Sequence, residues 1–466
     1  MVFEENAKQK LYKKDFIIRV FMIKRRIYTL TNLPPEVIAV AFAKTSRSQD
    51  QIDVIASELN EDKSRKFHEK WVIGYGHSSV AEHAVLSIAI ENVSMLAAKI
   101  IEDTRLASYT ERSSRYQIFR DYYIPRLEGK SLDLYKETIG YLLSVYNKLL
   151  PKLMRFLKNK YPKESEIRIK NKALDCVRYL LPVAMLTSLG MTINARSLEY
   201  TIKKLLSHEL REIKEIGLEM KEAALKVTPT LIKYADYNSY LGETTSSLKE
   251  LSKSILTEVK VDNTPGAKLV EYDKDAENKL VTALLYRFSD KSYSDIKKKV
   301  LTMSKKEKEM VIDEALKRLS KFDVPLRELE HVYYSFDILL DFGAFRDVQR
   351  HRMCTQTSQP LTVKHGYSVP EEIKEANLEL EFRNAMEKAK STYYELEKFE
   401  DACYVIPLGF YKRILITMNL REIYHFVKLR SSIHGHPAYR KIALQVYELV
   451  KSVHPLLAKY VMVKLE

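Results

Sequence analysis

The chain has 466 residues, 45% hydrophobic and 30% charged, and 77 Lys and Arg against 62 Asp and Glu leave a formal net charge of +15. This balance describes a globular protein of about two domains, and the positive excess favours anionic partners: nucleotides, folates, nucleic acid or a membrane surface. The 12 glycines include no GxGxxG or GxxxxGKS/T run, which excludes the glycine-rich phosphate turns, and the isolated Cys176, Cys354 and Cys403 exclude a disulfide framework and a thiolate metal site.

Residues 1–15 are polar and basic, without the apolar stretch of a signal peptide, and Met22 is an alternative start. No apolar run reaches the about eighteen residues that a membrane span needs. Phe16 to Leu33 has strand character. Pro34 and Pro35 open a helix through Ala43, and SRSQDQID caps the next one. The stretch from Gly74 to Tyr116 is the richest in chemistry. His77 and His83 bracket a turn, Ala84 to Val93 alternates as a half-buried strand, and Ser94 caps the helix that follows. That helix empties into Arg105, Ser108, Glu111, Arg112, Ser113, Arg115 and Tyr116. Guanidinium forks bind phosphate oxygens bidentately, and a nearby carboxylate keeps unoccupied arginines oriented. The alternative is a solvated, salt-bridged loop.

Residues 131–161 and 164–189 read as helices. Asn194 to His208 is a further helix, whose first residue either caps it or binds a ligand. Polar chain punctuated by Gly and Pro between Asp236 and Lys268 places a division near 250–265, with units over 1–250 and 260–466. Lysine-rich helices over 293–320 open the second unit, and their charge runs read as solvated faces more readily than as a nucleic-acid footprint. Glu330 and His331 lead into the apolar run VYYSFDILLDFGAF, which ends in Arg346, Arg350, His351 and Arg352. QTSQPLTVKHGYSVP is expected as a loop and 371–400 as a charged amphipathic helix. Met418 to Arg430 is a helix with Asn419 at its start, around which His425 and Arg430 diverge by about 140°. His434 and His436 lack further partners and are read as structural.

The two halves echo one another. His83 and His331 stand 248 residues apart and Arg105 and Arg352 stand 247 apart, while Pro182 precedes Asn194 by the same 12 residues that separate Pro407 from Asn419. Echoes in the same order describe a tandem repeat of two domain-sized units.

HSSVAEH, SYTERSSRY and NARSL in the first unit, with EH, QRHR and MNLREIYHFVKLR in the second, resemble the flavin-dependent thymidylate synthase family. The family signature is Arg-His-Arg with a serine seven residues on. Neither copy is whole. The first has Asp103, Thr104 and Arg105 at the Arg-His-Arg positions but keeps Ser108, Glu111, Ser113, Arg115 and Tyr116. The second keeps Arg350, His351 and Arg352 but has Pro360 at the serine. Arg178 matches a nucleotide-contacting arginine where the second copy has Cys403, and Arg430 matches the arginine that activates the uracil where the first copy has Leu205. Oppositely degraded copies suggest one composite site per chain and a vestigial reciprocal one.

The resemblance implies an α+β, helix-rich chain of two tandem domains, each with a small antiparallel sheet. It implies a homodimer of this fused pair in place of the family's homotetramer. It further implies an enzyme that methylates dUMP to dTMP with FAD as cofactor and methylenetetrahydrofolate and NADPH as co-substrates, and the isolated cysteines fit a reducing cytoplasm. On this likeness Glu111, Arg112, Ser113, Ser114, Arg115, Arg178 and Arg350 hold the nucleotide. His83, His331, Asn194, Arg350, His351, Arg352, Asn419 and His425 hold the flavin. Arg430 is the catalytic cation beside the pyrimidine. His83 taken alone is more readily a satisfied structural histidine. Two other readings stay open: a flavin- or nucleotide-binding relative with lost or altered chemistry, and a basic nucleic-acid-binding scaffold.

Overall fold

The computed structural model describes residues 25–464. In the first half, helix α1 (Pro35–Thr45) begins at a proline, whose fixed φ and missing N–H suit a first turn. Strand β1 (Val85–Ser94) runs directly into α2 (Met95–Ile101), and β2 (Ala107–Glu111) follows. Helices α3 (Gly129–Lys160) and α4 (Glu166–Val177) precede β3 (Leu186–Asn194). Helices α5 (Ala195–Leu206), α6 (Arg211–Leu225) and α7 (Ser239–Ile255) complete this half. The second half opens with β4 (Gly266–Tyr272) and three helices, α8 (Ala276–Tyr286), α9 (Tyr293–Thr302) and α10 (Lys305–Leu316). It continues through β5 (Tyr333–Asp341), α11 (Phe342–Val348), β6 (Thr355–Ser358) and α12 (Glu379–Leu396). Strand β7 (Tyr411–Asn419), α13 (Leu420–Arg430) and α14 (Pro437–Val453) follow.

The architecture is α+β, with two small antiparallel sheets in the orders β1-β3-β2 and β4-β5-β7-β6. The same strand-to-helix joint recurs in both halves. The Ser94 hydroxyl accepts the Ala97 N–H at 2.9 Å, and the Asp341 carboxylate accepts the Ala344 N–H at 2.7 Å. Asn194 and Asn419 likewise cap α5 and α13, each accepting an N–H at 2.8 Å. Such caps satisfy backbone donors that a helix start leaves without partners.

Several expectations are corrected. Of the strand expected over Phe16 to Leu33, residues 16–24 and the alternative start at Met22 lie outside the described residues, and 25–33 form no strand. No side chain caps the helix that begins at Ile52. The helix expected over 164–189 ends at Val177: a 3-10 turn (Arg178–Leu180) and irregular chain through Pro182 follow, and residues 186–189 begin β3. Strand β4, an edge strand paired only to β5, was not anticipated, so the lysine-rich helices do not open the second half. The first three residues of the loop expected from Gln356 belong to β6, which pairs with β7 just as β2 pairs with β3. The helix expected over 371–400 breaks at Asn377, whose φ is 56°. Met418 belongs to β7.

Buried residues from Ala39 to Val461 form one apolar core that runs through both halves. The proline segments that echo in sequence meet there. Val183 N–H donates to the Ile406 carbonyl and Leu408 N–H to the Leu181 carbonyl, each at 2.9 Å. Helix α7 buries none of its residues, and we propose that the units divide between it and β4. Among the described residues no helix is long and apolar enough to cross a membrane.

Buried carboxylates tie this junction. Glu212 accepts the Ser94 N–H at 2.7 Å, the Ser94 hydroxyl at 2.6 Å and the Tyr404 hydroxyl at 2.7 Å. Asp341 takes the corresponding place opposite Tyr179, and burial pushes its pKa up to about 6. The unfolded value is about 3.9, so the native state binds the proton more readily and stability falls as pH rises from about 4 to about 6. Asp341→Asn keeps the cap and removes the charge. We expect it to raise stability by on the order of 2 kcal/mol above pH 6, with the gain vanishing near pH 4. Urea unfolding at both pH values checks this, and an equal gain at both would refute it.

Candidate functional site

Strand β2 delivers Glu111 at its end, and the turn after it carries Arg112 to Arg115. The last turn of α4 supplies Asp175, and the short 3-10 turn after it supplies Arg178. From the other half, α11 projects Arg346 and Asp347, and the chain beyond it adds Arg350 and Arg352. Apart from Asp175, which stands behind Arg115, these groups line one cavity of about 160 Å³, in which seven cationic side chains face the carboxylates of Glu102, Glu111 and Asp347.

Glu111 is the hub. It accepts from Arg346 at 2.6 Å and lies 2.9 Å from Lys99. Burial alone would raise its pKa, but Arg346 and Lys99 outweigh burial and hold it below the usual carboxylate value. Glu102 also contacts Lys99, and there burial, helped by the Glu111 charge, raises the pKa. Glu111 therefore keeps its charge, and Glu102 is the first of the two to take up a proton. Arg115 is held bidentately by Asp175, with both bonds at 2.7 Å. Burial opposes the Asp175 charge, but Arg115 and Arg178 pull its pKa down.

Two arginines remain under-partnered. Arg178 is 2% exposed, and among the described residues its Nε, 3.7 Å from Asp175, and one terminal nitrogen have no hydrogen-bond partner, nor does Arg346 Nε. Ser114 Oγ accepts from Arg178 at 3.4 Å and from Arg346 at 3.2 Å, which leaves its own proton to donate. Buried donors without acceptors are costly, and an anion in this cavity would satisfy them.

Behind Arg350 the site changes character. His351 Nδ1 lies 2.7 Å from Glu422, and Arg430 donates from Nε to His351 Nε2 at 2.9 Å and from a terminal nitrogen to the Asp347 carbonyl at 2.6 Å. Burial, then the nearby Arg430, His425 and Arg350 charges, push the His351 pKa well below its ordinary value, so the ring is neutral. On the far side of this chain lies a cleft of about 450 Å³. Its walls include Phe322, Val324, Met353 and Leu429, and Asn419, Arg421, Glu422 and His425 supply polar groups. Donor atoms of His351, Glu422 and His425 lie within 4.8 Å of one another. A metal ion on Nδ1 would, however, require an N–H on Nε2 facing the Arg430 donor.

The model of the thymidylate synthase complementing protein family matches residues 28–230 and again 268–456. The chain belongs to that family. A relative named UPF0159 protein from Chlamydia muridarum is 32% identical over 476 residues, covering 92% of this chain and 90% of its own length. A flavin-dependent thymidylate synthase from Saccharolobus solfataricus is 30% identical over 227 residues, 48% of this chain but 80% of its own length. One from Clostridium tetani is 29% identical over 221 residues, 46% of this chain and 86% of its own length. Each of these synthases thus corresponds to about half of this chain, in keeping with a family model that matches twice.

Within this family member, the residues expected at the nucleotide meet as a group: Glu111, Arg112, Ser113, Ser114, Arg115, Arg178 and Arg350 all line the arginine cavity, and Arg352 joins them with its guanidinium over the Tyr109 ring at 5.3 Å. Arg430 stands behind that cavity and Asn419 and His425 line the apolar cleft. Four expected flavin ligands are placed differently. His83 is exposed in a separate cleft with Phe42, Trp71 and His77, its ring against Phe42 at 5.2 Å. His331 is exposed and lines neither the arginine cavity nor the apolar cleft. The Asn194 side-chain oxygen is occupied as a helix cap. His351 is 4% exposed, with one ring nitrogen engaged by Glu422 and the other by Arg430. Sequence reasoning missed Lys99, Arg346 and Glu422 as site residues. The repeat held a signal for two of them, since Lys99 and Arg346 stand 247 residues apart, as Arg105 and Arg352 do.

Proposed function

We propose that the chain is a flavin-dependent thymidylate synthase working through one composite site, with dUMP as acceptor. The observation that carries this reading is the set of buried, under-partnered guanidinium groups of Arg178 and Arg346, one from each half, in a single cavity. Such donors match phosphate oxygens. Arg178, Arg346 and the Ser114 hydroxyl bind the phosphate, and Glu111 with Lys99 holds Arg346 in place. Arg430, buried and braced, opposes negative charge developing on the pyrimidine. Ser113 Oγ accepts only the Arg115 N–H among the described residues, so it serves as a hydrogen-bonding group without a base to activate it.

The apolar cleft suits a flat ring system edged by hydrogen-bonding groups, and its volume lies within the range of cofactor pockets. Arg421 and His425, with the Asn419 amide NH2 left over from its helix cap, would hold FAD there, and the flavin would supply the redox chemistry of methyl transfer, with methylenetetrahydrofolate and NADPH as co-substrates. A second reading, a binding relative with altered chemistry, is favoured by the 32% identical full-length relative, whose name carries no activity. The test is a visible spectrum of the purified protein, then anaerobic reduction and addition of dUMP and methylenetetrahydrofolate. One flavin per chain with dTMP formed is expected. Flavin without dTMP would select the second reading, and a colourless protein that binds no dUMP would overturn both.

A further inference from the structure

We propose that Glu422 is a positioning residue that acts through His351 to aim Arg430. The argument starts from donors and acceptors. An arginine Nε–H can only donate and does not lose its proton in proteins. Arg430 Nε lies 2.9 Å from His351 Nε2, so Nε2 carries a lone pair and the single ring proton of the neutral imidazole sits on Nδ1. Nδ1 lies 2.7 Å from Glu422 Oε1, which accepts that proton. All three side chains are buried, with 7% exposure at Glu422, 4% at His351 and 7% at Arg430, so in the intact protein these hydrogen bonds are made to one another.

The arrangement fixes the guanidinium on three sides. Nε is held by His351, a terminal nitrogen by the Asp347 carbonyl at 2.6 Å, and the Tyr439 ring lies 5.2 Å from its carbon. Only the first of these contacts depends on a tautomer. Without an acceptor opposite Nδ1 the imidazole is free to carry its proton on Nε2, which would set one donor against another at Arg430. Glu422 and Arg430 belong to the same helix, α13, and His351 comes from the chain after α11. The relay therefore locks that helix to the segment lining the arginine cavity. This inference rests on the reading of Arg430 as the cation beside the pyrimidine, but the tautomer itself does not.

The test compares full-length Glu422→Gln and Glu422→Ala by ¹⁵N spectra of ¹⁵N-histidine-labelled protein, with His351→Asn used to assign the ring, and by kcat and KM for dUMP. Glutamine keeps an acceptor for Nδ1–H and is expected to retain the tautomer and most of kcat. Alanine is expected to shift the ring toward the Nε2–H form and to lower kcat roughly tenfold or more at nearly unchanged KM, the scale seen when a histidine loses its orienting partner. Persistence of the Nδ1–H form in Glu422→Ala overturns the proposal. So does a kcat that falls equally in both variants, which marks a merely structural carboxylate. If the wild-type protein forms no dTMP, the proposed function fails, while the spectra still decide the relay.

Discussion

Replacing Glu111 with alanine is expected to destabilise the protein by about 3–5 kcal/mol, the cost of leaving buried charges without their counter-ion. Glu111 is the common partner of Lys99, 4% exposed, and Arg346, 8% exposed. Removing it strands two cations in the junction between the halves, with only Glu102 left beside Lys99. Urea unfolding at neutral pH measures the loss. The triple variant Lys99→Met, Glu111→Leu, Arg346→Met deletes the charges together and is expected to recover most of the stability, because burying a matched apolar set avoids the desolvation of the ions. A single variant as stable as the wild type would show that the network does not hold the halves.

Arg178→Ala is expected to behave in the opposite way, with binding lost and folding kept. Its guanidinium is buried with two nitrogens that make no hydrogen bond among the described residues and only a 3.7 Å ionic contact to Asp175, so deletion removes a desolvated charge that the apo protein does not fully compensate. Asp175 is not left alone, because Arg115 still holds it bidentately. The urea midpoint should therefore change little. Affinity for dUMP should fall at least about a hundredfold, as when one partner of a buried, hydrogen-bonded charge pair is truncated. Isothermal titration of dUMP into wild type and variant reads this directly. Unchanged affinity would remove Arg178 from the phosphate site, whereas collapse of the fold would make it a structural arginine.

Much of the local structure was legible in the chain. Ser94 and Asn194 were recognised as possible caps, and each accepts a backbone N–H three residues on. Such bonds join near neighbours, so residue type and spacing suffice. Where two local states share one pattern, the reading failed. Only the last four residues of 164–189 entered strand β3, after a 3-10 turn and irregular chain, and Asn377 split a charged helix that periodicity alone made continuous.

The doubled motif order is a property of the linear chain, and it carried the tandem architecture, the α+β class and the family. The placement of function is not linear. His83, His331 and Asn194 occupy motif positions yet lie away from the arginine cavity, while Glu111 and Arg346 meet across 235 residues. That meeting depends on the two halves packing about paired proline segments through one shared core. Spacing along a chain fixes which face of its own helix or strand a side chain occupies, but not which distant element covers that face. Only the tertiary packing therefore decided that Arg178 and Arg346 share a cavity, and that His351 is a brace between Glu422 and Arg430.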